Sequence, residues 1–501
     1  LPEVHSEVSE SLQVLCGNEI IEAHGSSRIP EQKEYGFRHA LVRDAAYGLL
    51  DQSDRLLGHR SAAEFLEAAD KQVASALLAY HFRQAEAFEL ALHYYVQAGE
   101  RASQQGLYEE ARLHYADADA TIQLLPATPA LRRQHVAILL KRVNSGMTLL
   151  SAQSQLEILD DARALLAPLT GQAPIERADR LLLARLDFYF ARIHLYGGQT
   201  ERAISFFQRV LPVAQEFGDE ELLALTCQVL GMAELTRGQI NRAVEIMAPL
   251  LGPAGQQFGL SLEGMRCLMY PAVALAINGQ FQASASLAQR ASALAVQSQQ
   301  PALRGVVLML EALCHIAAAQ WQDAIAASQD ALEFGQQSGQ TLQQYMALDT
   351  LAYAQSQVGL HESALSGRAE AAALRQTLRG SIVEDWFDAL ESEILLNAGR
   401  IEDALAKARQ IAGAAQASGM LFSYPVAERV CGCALARCGA EPAAVEAHLR
   451  ASLALCEQTG YVSEIIQTQL WWGRICRERG DEAAAQQHFD EALKLLETRG
   501  A

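Results

Sequence analysis

The chain has 501 residues, of which 50% are hydrophobic and only 7% aromatic, so its core must be built mainly from Ala and Leu. This composition favours closely packed helices over a sheet. The formal net charge of −19 at pH 7 disfavours binding to nucleic acid or to an anionic membrane surface. Nine mostly scattered cysteines, and the lack of a signal peptide or a membrane-length apolar run, predict a cytoplasmic protein with reduced thiols.

The first 52 residues have a pattern of their own. "VSESLQVLC" predicts a short helix, "EIIEAH" a strand, "GSSRIPEQK" a polar loop and "EYGFRHA" a returning strand. "LVRDAAYGLL" then predicts a helix with Leu41, Ala45 and Leu49 on one face. The order of helix, two strands and helix suggests that residues 1–52 are the C-terminal part of a winged-helix module. Residues 53–89 are predicted to form a helical linker.

From residue 90 to residue 501 one phrase recurs, as in "YGGQTERA" and "NAGRIEDA". From Gly198 onward its turn residue returns every 40 or 41 residues. Gly, Ala or Ser stands seven residues before and five residues after every turn. The turn positions are Gly106, Gly198, Gly238, Gly279, Ala319, Gly359, Gly399, Gly439 and Gly480.

The small residues have a physical reason. Two antiparallel helices approach closely only where neither carries a bulky side chain at the crossing, and a turn Gly provides the left-handed conformation that ends the first helix. Large residues nine positions after the turn, such as Tyr115 and Met247, are predicted to fill the next layer. Between Gly106 and Gly198 there is room for one additional, diverged hairpin, which we place at about 131–165.

The recurring pattern resembles the tetratricopeptide repeat, although the period is about 40 residues instead of 34. The lengthened repeats are similar to those in the sensor arrays of large bacterial signalling ATPases and transcription activators. The resemblance implies an all-α fold, a right-handed α-α superhelix of about ten hairpins over residues 90–501. It implies binding rather than catalysis, because this scaffold is used for recognition.

The front segment carries a second resemblance. Tyr35, Phe37, His39, Arg43, Asp44 and Tyr47 match the phrase "YxFxHxLxRDxxY", which is common in STAND-type signalling ATPases. In that family the phrase ends a winged-helix domain and couples the ATPase module to a helical repeat array. This resemblance implies that the six residues serve inter-domain coupling. The sequence has no G-x-x-x-x-G-K-[ST] loop, so the resemblance places the ATP- and Mg-binding module upstream of Leu1.

Residues of catalytic type do not form an enzyme pattern. His39 and Asp44 could be an acid–base pair, but no nucleophile or third partner accompanies them. We favour packing of His39 at the junction of the wing and the following helix, with Arg43 and Asp44 forming local ion pairs. Cys431, Cys433 and Cys438 invite a metal site, yet thiolates two residues apart on a helix point to different sides. We therefore predict no catalytic residues, no metal and no cofactor in this chain.

The remaining candidate site is the concave surface, which in tetratricopeptide arrays is formed mainly by the first helix of each pair. The register places on it Phe188, Arg192, Met232, Met269, Met309, Asp349, Tyr353 and Trp386. Such a stripe can be a Met- and aromatic-lined groove, with Arg192 and Asp349 as polar anchors. It can equally be core between neighbouring repeats. Trp471 and Trp472 could cap the end of the array or dock another domain.

Together these patterns predict the sensor arm of a signalling ATPase. The arm would bind a protein or peptide partner, or a small effector, and transmit that event to the upstream module. Oligomerisation would take place through that missing module. The alternative is a structural adaptor that assembles with itself or with a neighbouring protein and senses nothing.

Overall fold

The computed structural model describes residues 2–27, 32–69, 74–147, 149–171, 175–378 and 384–499. The chain divides into two compact units, residues 1–186 and residues 187–501. Within the described residues no helix combines the length and the apolar character that crossing a membrane requires. The limits predicted at residues 52 and 89 separate the winged-helix part, the linker and the repeats; they do not describe compact units, and they stay a prediction.

The front of the first unit has the predicted order of elements. Helix α1 spans Pro2–Gly17, strand β1 Ile21–Ala23, strand β2 Tyr35–Phe37 and helix α2 Ala40–Leu49. The strands pair antiparallel, with Ile21 opposite Phe37. These elements confirm the predicted helix, two strands and helix, whereas their assignment to a winged-helix domain stays a prediction.

The rest of the first unit is helical. The two helices α7 and α8 form the additional hairpin that the long interval between Gly106 and Gly198 predicts. A core of Ala, Leu and aromatic side chains that includes Phe82, Tyr95 and Tyr115 holds the earlier helices together. The helices are α3 Gln52–Ala69, α4 Ser75–Gln84, α5 Phe88–Gln104, α6 Tyr108–Ile122, α7 Pro129–Ser145 and α8 Ala152–Thr170.

The second unit consists of helix pairs, and α9 contains the division between the units. Each first helix ends at a turn residue of the predicted register and is followed by its antiparallel partner. The helices are α9 Arg177–Tyr196, α10 Thr200–Phe217, α11 Glu220–Thr236, α12 Ile240–Met247, α13 Pro253–Gln256, α14 Leu262–Ile277, α15 Phe281–Ser298, α16 Pro301–Ala317, α17 Trp321–Gln337, α18 Thr341–Gln357, α19 His361–Arg375, α20 Glu384–Asn397, α21 Ile401–Ser418, α22 Tyr424–Arg437, α23 Pro442–Thr459, α24 Val462–Glu478 and α25 Glu482–Arg499.

The turn residues and the small residues act as predicted. All nine turn positions have positive φ, including Ala319 at 57°. A Cβ added at Gly231 would lie 2.5 Å from Met247 Cγ, and one at Gly473 would lie 2.6 Å from the Phe489 ring. The small residue seven positions before each of these turns therefore packs against the large residue nine positions after the turn.

One second helix departs from the regular pattern. After the Gly238 turn, α12 ends at Met247, a 3₁₀ segment covers Ala248–Leu251, and α13 follows. Pro249 and Pro253 explain the break, because proline has no N–H to donate and its ring clashes with the preceding turn of helix. Apart from this break the chain has the predicted all-α helical-repeat fold.

Candidate functional site

The first helices of the second unit enclose a cavity of about 210 Å³. Its wall is formed by residues of eight first helices: α9, α11, α14, α16, α18, α20, α22 and α24. Most of the wall is apolar, and charged side chains are represented by one Arg and one Glu. The residues that matter below are Met232, Arg266, Met309, Tyr353, Trp386 and Glu464.

The cavity is bordered by a contact between repeats that are far apart in the sequence. Phe422 N–H donates to Thr236 O at 3.3 Å, and Asn278 Nδ2 donates to Gly460 O at 3.0 Å. A helical-repeat array ordinarily joins each repeat only to its neighbours. We call this contact the seam. It is formed by Thr236, Gly238, Asn278 and Gly279 on one side and Leu421, Phe422, Gly460 and Val462 on the other.

Three aromatic side chains form one wall of the cavity, next to the seam. Phe422 stacks on Trp386 with ring centroids 5.6 Å apart and on Tyr461 with centroids 5.0 Å apart. Trp386 Nε1 donates to the Tyr461 hydroxyl at 3.1 Å. Burial raises the pKa of Tyr461 well above its ordinary value, so this hydroxyl stays neutral. The wall thus offers flat apolar faces with few polar atoms.

A buried charged cluster borders this wall, formed by Glu393, Arg429 and Glu464. Arg429 is completely buried; its Nε lies 2.5 Å from Glu464 Oε1, and its Nη1 lies 3.0 Å from Glu393 Oε1. Glu393 also accepts hydrogen bonds from Tyr353 Oη at 2.8 Å and from Trp471 Nε1 at 3.0 Å. Two carboxylates share one guanidinium, so the ionised cluster carries a net charge of −1.

The two carboxylates have different environments. Burial alone would raise the pKa of Glu393, but Arg429 and several hydrogen bonds hold it below its ordinary value. Burial raises the pKa of Glu464 despite its contact with Arg429. Glu464 belongs to the cavity wall but is only 4% exposed, and Arg429 donates to both of its oxygens.

The structure divides the eight predicted surface residues into two groups. Met232, Met309, Tyr353 and Trp386 line the cavity. The other four are absent from its described wall and are buried within or between helix pairs. Phe188 packs on Phe207, Met269 is completely buried, Asp349 pairs with Arg368 at 2.7 Å, and the Arg192 guanidinium lies 4.7 Å from the Tyr189 ring centroid.

The register explains most of this division and shows what sequence reasoning missed. Residues six positions before the turn, such as Met232 and Tyr353, lie on the same helix face as those thirteen before it, because seven residues make almost two turns. Phe188, Met269 and Asp349 stand ten before the turn, about 40° away in projection, and are buried away from the cavity. The two exceptions are Met309, which stands ten before its turn and lines the cavity, and Arg192, which stands six before its turn and does not. The thirteenth position lines the cavity in six repeats, at Arg266, Val306, Met346, Trp386, Val426 and Gln467.

The predicted coupling residues lie at the start of the first unit. Tyr35 and Phe37 belong to β2, and His39 directly precedes α2. Arg43 pairs with the neighbouring Asp44 at 2.8 Å. Tyr47 Oη lies 2.9 Å from His59 Nε2, so it connects α2 with α3.

The cysteine and tryptophan pairs occupy interior positions. Cys431 and Cys433 are buried, and burial raises the pKa of each thiol to about 12. In the part of the chain that the structure describes, no group of three His, Cys, Asp or Glu residues is arranged to hold a metal ion. Trp471 belongs to the charged cluster through Glu393, and Trp472 stacks on His488 with centroids 4.5 Å apart.

No family model and no curated protein matches this sequence. Among solved structures the chain is similar to a Rap protein complexed with Competence and Sporulation Factor, with 9% identity, a TM-score of 0.56 and coverage of 74% of this chain and 98% of that one. A STAND protein with a tetratricopeptide repeat sensor from Pyrococcus horikoshii has 12% identity and a TM-score of 0.34, over 97% of this chain and 58% of that one. The apo quorum sensor NprR from B. thuringiensis has 11% identity and a TM-score of 0.39, over 83% and 99%. The Rap likeness shows a shared helical-repeat fold.

Proposed function

We propose that this chain is the non-catalytic sensor arm of a signalling ATPase, and that its second unit binds an effector in the cavity. The cavity carries the proposal, because its wall comes from eight first helices and an occupant would contact many repeats at once. The Rap protein of similar fold is complexed with Competence and Sporulation Factor, and this fold-level analogy supports a ligand inside such an array.

The seam is the contact whose equilibrium between closed and open states an effector could shift. Hydrogen bonds from Phe422 N–H to Thr236 O and from Asn278 to Gly460 O, and apolar packing of Phe281 on Val462, join repeats that are far apart in the sequence. A ligand shifts an equilibrium only by its difference in affinity for the two states. An effector that prefers the closed cavity would favour the closed seam, whereas one too large for the cavity would favour an open seam.

We further propose that the first unit passes this change to a nucleotide-binding module upstream of Leu1. This step rests on the phrase from Tyr35 to Tyr47 and on its resemblance to the coupling segment of STAND-type ATPases. The exposed side chains of Leu41 and Leu49 on α2, 83% and 88% accessible, are consistent with an apolar contact to another module.

The effector proposal is tested by filling the cavity. We expect Met232→Trp to fold and to lose ligand-induced thermal stabilisation in a screen of peptides and small metabolites that stabilise the wild-type chain. Val296→Trp, at a site on α15 that is 58% exposed, is the matched control and should respond like the wild type. Equal stabilisation of both variants, or no stabilising compound for the wild type, would refute binding in the cavity.

The scaffold alternative has one observation in its favour. Trp386, Phe422 and Tyr461 already cover part of the inner face by stacking on one another. A self-contacting face of this kind can serve rigidity alone. Concentration-dependent assembly of the chain without any ligand response would favour the adaptor.

A further inference from the structure

The cavity of the second unit has a largely apolar wall, and several polar groups of that wall are bonded to other parts of the protein. We propose that the cavity binds a small, uncharged and largely apolar molecule. This inference rests on the proposed function, which places an effector in the same cavity, and it specifies the chemical class of that effector. It separates this class from peptides with ionised termini and from charged metabolites, which the proposed function also admits.

The apolar part of the wall comes from several first helices. Met232 lies on α11, Met309 on α16 and Met346 on α18, and aromatic rings complete the surface beside the seam. Methionine side chains are unbranched and adapt to the shape of an apolar occupant. An engineered cavity of about 150 Å³ with an apolar lining stays dry and binds benzene. At about 210 Å³ this cavity has room for a molecule somewhat larger than benzene.

Two aromatic residues of the wall use their donor groups within the protein. The Tyr353 hydroxyl donates to Glu393 at 2.8 Å. Trp386 Nε1 donates to the Tyr461 hydroxyl at 3.1 Å. A neutral apolar molecule gives up little hydration when it enters such a site. An ionised group gives up much more, and it is stabilised there only if it meets an opposite charge.

Each of the two charged side chains of the described wall has an opposite charge beside it. Both carboxylate oxygens of Glu464 accept hydrogen bonds from Arg429, which is completely buried. Arg266 stands three residues after Glu263 on α14, a spacing that makes the two side chains neighbours. The two charges also act in opposite directions on the pKa of Tyr270. An ionised ligand would therefore compete with the protein's own charges, so the wall favours a neutral one.

The experiment compares three probes of similar size: 3-phenylpropan-1-ol, 3-phenylpropylammonium and 3-phenylpropanoate. An NMR titration of each probe with the wild-type chain should give the alcohol a dissociation constant of about 1 mM or below. The constants of the ammonium and of the carboxylate should be at least about tenfold higher, because each must shed its hydration beside charges that are already paired. Met232→Trp should abolish binding of the alcohol, since it fills the cavity.

A charge placed in the wall should reverse this selectivity. Met346→Glu changes a half-buried residue of the cavity on α18. We expect it to bind the ammonium at least about tenfold more tightly than the wild type does, and the alcohol more weakly. Gln355→Glu, the matched control, places the same charge on the same helix outside the described wall and should bind all three probes like the wild type. An unchanged helical spectrum and thermal midpoint verify folding.

Leu342→Glu is a second charged variant, whose folding does not depend on burying the new carboxylate. Leu342 belongs to the wall and is 44% exposed, so a carboxylate at this position stays hydrated. It should change the preference in the same direction as Met346→Glu, by a smaller factor, because water screens the charge.

Four outcomes would overturn the proposal of an uncharged ligand. The first two are tighter binding of either charged probe than of the alcohol by the wild-type chain, and equal binding of all three. The others are absence of binding by every probe, and charged variants that leave the order of affinities unchanged. Whenever a probe binds and Met232→Trp abolishes its binding, the proposed effector function still stands. When no probe binds, the broader ligand screen decides that function separately.

Discussion

The close helix crossings can be tested by comparing two glycines in helices of the second unit. Gly231→Ala places a Cβ 2.5 Å from Met247 Cγ and Cε, about 1 Å inside ordinary contact, and Met247 is completely buried. Gly413→Ala, in the exposed face of α21, meets nothing within 4 Å. Both changes gain about 0.5–1 kcal/mol of helix propensity. Overpacking at Gly231 costs about 1–3 kcal/mol, so the two variants should differ by about that amount.

Urea unfolding followed by circular dichroism measures the difference. Unfolding of an array need not be two-state, so the midpoints and slopes of both variants must be compared with those of the wild type. We expect Gly413→Ala to raise the midpoint and Gly231→Ala to lower it. If the two midpoints shift together, close approach is not the reason for the small residue before the turn, and the register loses its physical basis.

Three further predictions concern a turn, the seam and the first unit. Ala319→Gly should raise the stability of the second unit by about 0.5–1 kcal/mol in the same unfolding assay, because it relieves a φ of 57° at some cost in unfolded-chain entropy; a decrease would contradict this. Gly279→Ala should destabilise more than Gly359→Ala, since both have positive φ but only the former places a Cβ 2.6 Å from Val462, and protease resistance of the 421–462 segment reports the difference. Burial lowers the pKa of His59 and of His81, whose Nδ1 atoms lie 2.9 Å apart, so the native state binds fewer protons than the unfolded state. Stability of the first unit, measured by hydrogen exchange, should be full above pH 6.5 and should fall as the pH drops below it, and His81→Asn should flatten this dependence.

The repeat architecture could be predicted because its determinants are local. A turn glycine, a small residue before it and a large one after it recur within each repeat, and each group meets its partner across a single hairpin, as Gly231 meets Met247. The break after α12 also has a local determinant in Pro249 and Pro253.

The seam could not be predicted in the same way. Asn278 and Gly460 are 182 positions apart, and each stands at a helix end that looks like those of the other repeats. Closure depends on small rotations accumulated over several repeats, which no single motif specifies. The cavity-lining column thirteen residues before the turn carries Arg, Val, Met, Trp, Val and Gln, so no shared residue type marks it in the sequence. This column forms a cavity wall only because the seam brings distant repeats together. An open array would expose the same helix face to solvent.

The position of the charged cluster connects the cavity with the seam. Glu464 lies two residues after Val462, which contacts the Gly279 turn, and three residues after Tyr461, which stacks on Phe422. Glu464 therefore stands in the first turn of α24, next to the residues of that helix that form the seam. The same carboxylate is held by Arg429 from α22, and Arg429 is shared with Glu393 of α20. Glu464 is thus connected to two neighbouring repeats through Arg429 and lies beside the seam, so under the proposed function an occupant that contacts it would act on both.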